Sequence, residues 1–272
     1  MRSKIPIFAF LLAAIAFGLV CEHKPLKAAF EHNPTTPEEK KQALEEAIIQ
    51  GDTKGAQALL LAGAKVDEVN KEGYQPIHQA ALGGHAEIVK LLLAAGAKVD
   101  APMPTGNQPI NLAVLTGNTE TVKALLAAGA KVNVMDRFGE QPIHVASLNG
   151  NIEVMKLLLA AGAEVDTVND GGLTPLAFAA MFRRSEMVKF LLTVGAKVDA
   201  GSLPPLHYAA MNDDTETVKL LLANRAKSSA KDRQGMTASM WAEKKGHKEL
   251  AVFLKEQEAK EAAEVKQTPA SK

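Results

Sequence analysis

Three histidines recur along the chain and are the side chains best suited to chemistry: His78, His144 and His207. Imidazole nitrogens bind zinc, and three of them around one ion leave a coordination position open for an activated water. Each ligand must then lie about 2 Å from the ion, whereas the packed helices of neighbouring units, which carry these histidines, lie about 10 Å apart. We therefore predict no metal site, and instead a structural role in which each histidine hydrogen-bonds to the unit that follows.

Other kinds of catalysis have no support in the sequence. It contains no Gly-x-Ser-x-Gly elbow, no His-Glu-x-x-His pair and no glycine-rich phosphate loop, the motifs that position a nucleophile, a metal or a phosphate. The 31 basic residues are balanced by 31 acidic residues, whereas nucleic-acid binding usually shows as a clustered basic face. These features predict a non-catalytic protein without a metal, a cofactor or a nucleic-acid partner.

The elements that carry the histidines repeat every 33 residues. Prolines keep this step, with one shorter interval of 30 before the last: Pro76, Pro109, Pro142, Pro175 and Pro205. A typical copy, GYQPIHQAALGGHAEIVKLLLAAGAKVD, begins at Gly73 and combines a proline, a central glycine turn and a Leu-Leu pair before Gly-Ala. This pattern resembles the ankyrin repeat over about residues 36 to 257. The resemblance implies a stacked array that binds partners through its hairpin tips and concave face, with no shared set of ligand residues.

Each copy predicts two short helices. Proline at the first helical position is already set for helix entry, and a glycine such as Gly84 ends the first helix. Ile88, Leu91 and Leu92 give the second helix one apolar face, and Gly96 provides a left-handed cap. Because neither helix buries its apolar face alone, stability must come from stacking. The predicted fold is an all-α ankyrin-repeat solenoid of about seven helix-turn-helix units with short β-hairpin-like connections.

The repeat also predicts where the segments of the chain begin and end. We expect a signal peptide over 1–21, a flexible spacer over 22–37, the array over 38–257 and a disordered tail over 258–272. Within the array, polar outer copies are typical of terminal repeats and give an N-terminal cap and a C-terminal cap around five internal copies. The units are 38–68, 69–101, 102–134, 135–167, 168–200, 201–230 and 231–257.

Departures from the pattern cluster late in the array. Arg183 and Asp213 stand where earlier copies have a turn glycine, and Arg225 replaces a capping glycine. The backbone of a residue other than glycine is strained at positive φ. These turns therefore either adopt positive φ at an energetic cost or form a different type of turn. We predict that the stack is least stable between about 180 and 230.

Apolar side chains near the ends of the first helices are the candidate protein-binding residues. They share one repeat position, or lie beside it, on the inner surface: Leu82, Leu115, Leu148, Met181, Phe182, Tyr208, Met211 and Trp241. These side chains either line a groove for a peptide or protein, or pack between adjacent first helices. Phe138, at a hairpin tip, is either an anchor for a partner or packs within the fold.

The N-terminus predicts export. Arg2 and Lys4 precede an uncharged run from Ile5 to Val20, which is short for a membrane span but suits a signal peptide. Cys21, the only cysteine, ends this run and is a candidate site of lipidation, as in bacterial lipoproteins. Val20 departs from the small residue usual before such a cysteine, and ordinary cleavage near Gly18 or Ala28 is the alternative.

Together these features predict an exported, monomeric binding module for a protein or peptide partner. Its location would be periplasmic, secreted or lipid-anchored in the cell envelope, with a membrane tether only through the N-terminus. Two alternatives stay open, namely an envelope-tethered structural spacer and an accessory subunit of an enzyme.

Overall fold

The computed structural model describes residues 34–267, and within this range it contains 14 α-helices and no strand. They are numbered here in chain order: α1 Pro37–Ile49, α2 Thr53–Leu61, α3 Pro76–Leu82, α4 Ala86–Ala94, α5 Pro109–Thr116, α6 Thr119–Ala127, α7 Pro142–Asn149, α8 Ile152–Ala160, α9 Pro175–Met181, α10 Ser185–Thr193, α11 Pro205–Met211, α12 Thr215–Ala223, α13 Ala238–Lys245 and α14 Lys248–Gln267. The predicted signal peptide, Cys21 and all but the end of the spacer lie outside the described residues. No helix within 34–267 combines the length and hydropathy that a bilayer crossing requires.

The helices form seven consecutive pairs, which confirms the predicted all-α solenoid. Each first helix packs on the first helices before and after it, and second helices pack on each other in four of the six neighbouring pairs of units. Fully buried alanines such as Ala80 and Ala81 lie at these contacts, and one continuous apolar core runs from Leu44 to Leu254. Small side chains let the helices approach closely, so the repeats share their core instead of each having its own.

Local sequence sets the helix ends as predicted. Pro76 is the first residue of α3, where its missing N–H removes no helical hydrogen bond. Gly84 and Gly96 have φ values of +73° and +94°, which a side chain would strain. Thr174 caps α9, since its hydroxyl accepts a hydrogen bond from the Ala177 amide at 3.2 Å, whereas the Gln75 side chain makes no such bond to α3.

The connections between pairs are hairpin-like turns. In the first, the Asn70 amide donates to the Tyr74 carbonyl at 2.9 Å, and the Asn70 side-chain oxygen accepts from the Tyr74 amide at 2.8 Å. Neighbouring tips are joined by backbone bonds, such as that from the Asp170 amide to the Phe138 carbonyl at 3.1 Å. Bonds of this kind join the four tips near residues 105, 137, 170 and 202, which form a continuous ledge in the middle of the array, although none is long enough to count as a strand in the described residues.

Within residues 34–267, three non-glycine residues have positive φ, and all lie in the segment predicted to be least stable. The values are 56° for Arg183, 55° for Asp213 and 68° for Arg225. Such conformations cost about 1 kcal/mol or more each. We therefore expect the amides of residues 205–225 to exchange hydrogen faster than those of 142–160. Equal protection of the two segments in a hydrogen-exchange experiment would contradict this.

The disordered tail predicted from residue 258 is wrong over the part that the structure describes. Helix α14 continues to Gln267, and Glu261 accepts hydrogen bonds from the Ser228 hydroxyl at 2.6 Å and the Ser229 amide at 3.0 Å. The segment consists mainly of Glu, Ala and Lys, which are strong helix formers. Glu261 therefore fastens the helix to the connection before the last repeat, and only 268–272 lie outside the described residues.

Candidate protein-binding surface

Two of the three recurring histidines, His144 and His207, join successive repeats, as predicted. His144 is fully buried; its Nδ1 accepts from the Gln141 amide at 3.1 Å, and its Nε2–H donates to the Leu173 carbonyl of the next repeat at 3.1 Å. His78 likewise accepts from the Gln75 amide, but its Nε2–H donates to the Ala101 carbonyl at the end of its own unit, at 2.7 Å. Burial lowers the pKa of His144 to about 4, so the ring is neutral. Within the part of the chain described, no cluster of His, Cys, Asp and Glu could hold a metal ion.

His207 departs from this arrangement. Its Nε2–H donates to the Met236 carbonyl at 3.0 Å, but its buried Nδ1 has no hydrogen-bond partner among the residues that the structure describes. The cause is Pro204, which occupies the position of Gln75 and Gln141 and has no N–H to donate. A buried nitrogen without a partner costs about 1 to 3 kcal/mol, which adds to the strain in this part of the array.

Replacing Pro204 with threonine is therefore expected to stabilise the protein by about 1 kcal/mol. Threonine supplies the amide that His207 Nδ1 lacks and a hydroxyl to cap α11, as Thr174 does for α9. Loss of the rigid proline ring offsets part of this gain. Urea unfolding measures the change.

The control is Pro102→Thr, which removes a proline from an exposed connection and restores no histidine partner. It should leave the stability unchanged or slightly lower. Equal effects of the two substitutions would show that the unpaired His207 nitrogen is not the cause.

The predicted apolar stripe is not uniformly exposed. Leu82, Leu115, Met181 and Met211 are half-buried, and Leu82 packs against the core. Leu148 is only 6% exposed, so it is mainly a packing residue and offers a partner little surface. The burial of Leu148 favours packing at that position, whereas a groove lined by the half-buried members stays a prediction.

The aromatic members of the candidate surface pack against buried residues of the core. The half-buried Phe182 ring stacks on the fully buried Phe178 with centroids 6.5 Å apart. Tyr208 is half-buried against the core, and burial raises the pKa of its hydroxyl to about 12. Rigid aromatic side chains lose little conformational entropy when they bind a partner.

Trp241 makes a hydrogen bond through its indole N–H and a cation–π contact through one face of its ring. Its indole N–H donates to Asp232 Oδ2 at 2.8 Å, and the Lys244 ammonium lies 4.5 Å from the ring centroid. The indole thereby links the last hairpin tip to helix α13, and the ring stays half-buried.

Phe138 is half-buried at its hairpin tip. The Arg137 guanidinium lies over its ring, 4.7 Å from the centroid, and its backbone carbonyl joins the next tip. The ring is thus covered in part by its own neighbour, and its role as an anchor stays a prediction.

A second apolar row, in the connections just before the hairpin tips, was not predicted. Val69, Met135 and Val168 are 51%, 55% and 48% exposed, and they stand at one repeat position, which exposed Pro102 fills in the remaining copy. Exposed large apolar side chains mark interaction sites when they form a patch. The 33-residue period contained this signal, because all four positions follow from it.

The comparisons with known proteins agree with this architecture. A family model described as ankyrin repeats (3 copies) matches residues 44–136, 128–202 and 197–267. The ankyrin repeat domain of human ASB11, known from a crystal structure, is similar with 33% identity and a TM-score of 0.71, covering 78% of this chain and 96% of that domain. No curated protein sequence matches.

Ankyrin repeats are generally protein-protein interaction modules and typically non-catalytic scaffolds. The matched residues extend over most of the chain, and the seven helix pairs, the proline entries and the hairpin ledge agree with that match. The chain belongs to the ankyrin repeat family.

Proposed function

We propose that this chain is an exported, non-catalytic binding module that holds one protein or peptide partner on its hairpin ledge and concave face. The observation that carries the proposal is the exposed row Val69, Met135 and Val168. Each of these side chains leaves about half of its surface in water, so its burial within the fold does not account for an apolar residue at that repeated position. Burial of such a row by a partner would supply favourable free energy in proportion to the apolar area covered.

The half-buried concave residues extend this row into a larger surface. Met181, Phe182, Met211, Tyr208 and Trp241 are supported from below and exposed in part. A few rigid aromatic anchors surrounded by smaller contacts are typical of the energetically dominant part of an interface.

The test is a crosslinking pull-down with the array, comparing Met135→Glu plus Val168→Glu with the unmodified chain. Both sites are exposed, so the glutamates should not disturb folding, in contrast to a charge at the buried Leu148. We expect one stoichiometric partner that the double variant loses.

The matched control is Leu61→Glu plus Val194→Glu, which changes two other exposed apolar residues, at the ends of second helices. This variant should keep the partner. Retention by the Met135 and Val168 variant, or equal loss in both variants with circular dichroism unchanged, would contradict binding through the ledge.

Export is supported by the charged start and the uncharged run to Val20. Cys21 is a candidate lipid anchor, and lipidation would place the array at a membrane surface without a spanning helix. Mass spectrometry of the mature N-terminus decides between an acylated Cys21 and a free chain that starts near residue 19 or 29. A start at Met1 would contradict export.

A further inference from the structure

The carboxylates at the C-terminal end of the concave face are already occupied by their own neighbours. Asp232 accepts hydrogen bonds from the Trp241 indole and from the Gln234 and Met236 amides. Glu243 pairs with Lys255 at 2.8 Å. Glu243 is therefore neutralised by Lys255, whereas the neutral donors leave Asp232 with its single negative charge, which is fewer than the cations around it.

Several cationic side chains at this end of the array form no ion pair among the described residues. Lys231 and Arg233 flank Asp232 at the last hairpin tip, and Lys245 ends helix α13; all three are exposed, and none has an ion pair within residues 34–267. Lys244 is exposed above the Trp241 ring. The contact between Trp241 and Asp232 brings the tip and the helix together, so these cations lie on the two segments that meet at the indole.

Partly exposed apolar and aromatic side chains lie beside these cations. Tyr208 occupies the same repeat position as Trp241 on the adjacent first helix, α11, which packs on α13. Its hydroxyl has no hydrogen-bond partner among the described residues, and Met211 is half-buried one turn further on. A ligand at this end would thus meet apolar and aromatic contacts, one free hydroxyl and unpaired positive charge.

We propose that the surface formed by Tyr208, Met211, Lys231, Arg233, Trp241 and Lys244 binds an acidic segment of a protein partner that also carries apolar side chains. The apolar side chains lie on Tyr208 and Met211, and the carboxylates pair with the free lysines and arginine. Charged rim contacts of this kind set specificity and association rate. This inference rests on the proposed function and names the partner chemistry at one end of the surface.

A peptide fits these observations better than a nucleic acid or a lipid surface. Binding of a duplex requires a basic stripe that tracks many phosphates, whereas the unpaired cations here are confined to one hairpin tip and the end of one helix, and the formal net charge of the chain is 0. The half-buried methionine and tyrosine offer the alternating apolar contacts that a peptide side chain fills.

The chain contains a single tryptophan, so its intrinsic fluorescence reports on this surface alone. The probe is a short synthetic peptide of glutamate and leucine, compared with its lysine-leucine counterpart, a single-stranded oligonucleotide and anionic lipid vesicles. We expect the acidic peptide to change the Trp241 emission in a saturable way, with affinity that falls as salt rises. The lysine peptide should leave the emission unchanged.

The triple variant Lys231→Glu, Arg233→Glu and Lys244→Glu should weaken the acidic peptide roughly tenfold or more. The control reverses the same number of charges at the exposed Lys98, Lys189 and Lys219, away from Trp241, and should bind normally. Peptide labelled with a fluorophore and followed by anisotropy measures both variants without relying on the indole environment.

Equal binding of the lysine peptide, unchanged affinity of the triple variant, or tighter binding of the oligonucleotide or the vesicles would overturn the inference. So would the absence of any response to the acidic peptide at low salt. Because the pull-down with the Met135 and Val168 variant uses a different part of the array, it can succeed while this inference fails.

Discussion

The substitution His144→Ala is expected to lower the free energy of unfolding by about 3 to 4 kcal/mol. It leaves the buried Gln141 amide without a partner and removes one of two hydrogen bonds to the Leu173 carbonyl, which still accepts from the Asn169 amide. It also opens a cavity beside Phe178, whose ring centroid lies 5.3 Å from that of the imidazole. An orphaned buried group costs about 1 to 3 kcal/mol, and the cavity adds to this cost. Urea unfolding followed by circular dichroism measures the loss.

Another repeat of the chain suggests a milder substitution of His144 as a control. Asn111 stands at the same position one repeat earlier, and its Oδ1 accepts from the Gln108 amide at 3.0 Å. His144→Asn should therefore keep the bond from Gln141 and lose the one to Leu173, at about half the cost of alanine. Equal destabilisation by asparagine and alanine would show that the bond within the helix start contributes nothing.

The His144 effect should also depend on pH. The folded pKa is about 4, below the ordinary value of 6.5, so the unfolded chain binds a proton as pH falls from about 6.5 to 4 while the folded protein does not. That proton lowers the stability of the wild type by up to about 3 kcal/mol over this window. Variants without the histidine escape this loss, so their deficit should be largest above pH 6.5 and shrink towards pH 4.

The repeat made most of the fold predictable. Pro76 and its counterparts fix where first helices begin, and Gly84 and Gly96 fix where helices end, because proline and glycine restrict or permit φ independently of the rest of the structure. The role of His144 in joining two repeats followed from the distance between packed helices. These inferences needed only local geometry and one period.

Features that depend on which atoms meet in space were not predictable in this way. Leu148 shares a repeat position with Met211, yet it is 6% exposed, because burial is decided by the neighbouring repeats and not by the position. The helical residues after 257 look polar and unpatterned, and their order depends on Glu261 reaching Ser228. The unpaired nitrogen of His207 becomes evident only when Pro204 is seen to lack the amide that its counterparts donate.

Glu140 is another case that sequence did not predict. It precedes helix α7 at the base of a hairpin, and only 9% of its surface is exposed. The equivalent residue in the next repeat is the apolar Leu173. Burial, and then the charge of Asp136, raise the pKa of Glu140 to about 7, and a hydrogen bond with Asn169 opposes this rise. A carboxylate here is therefore costly to ionise at neutral pH.

Glu140→Gln is accordingly expected to stabilise the protein at pH 8 by about 2 kcal/mol. Glutamine has nearly the same shape and can keep the bond with Asn169, but it removes the charge that is poorly solvated and repelled by Asp136. Thermal and urea unfolding of the two proteins at pH 8 measure the gain.

The sign of the pH dependence distinguishes this cause from a general surface effect. Between about pH 4.5 and 7 the folded wild type binds a proton at Glu140 that the unfolded chain does not, so its stability from this group rises as the pH falls. Glutamine has no such proton, and its advantage should therefore disappear near pH 4.5. The matched control, Glu153→Gln, alters a side chain that is 68% exposed and paired with Lys156; it should change the stability by less than about 1 kcal/mol at either pH. A gain for Glu140→Gln that stays constant from pH 8 to pH 4.5 would contradict this cause. It would mean that ionisation of the buried carboxylate does not destabilise the fold.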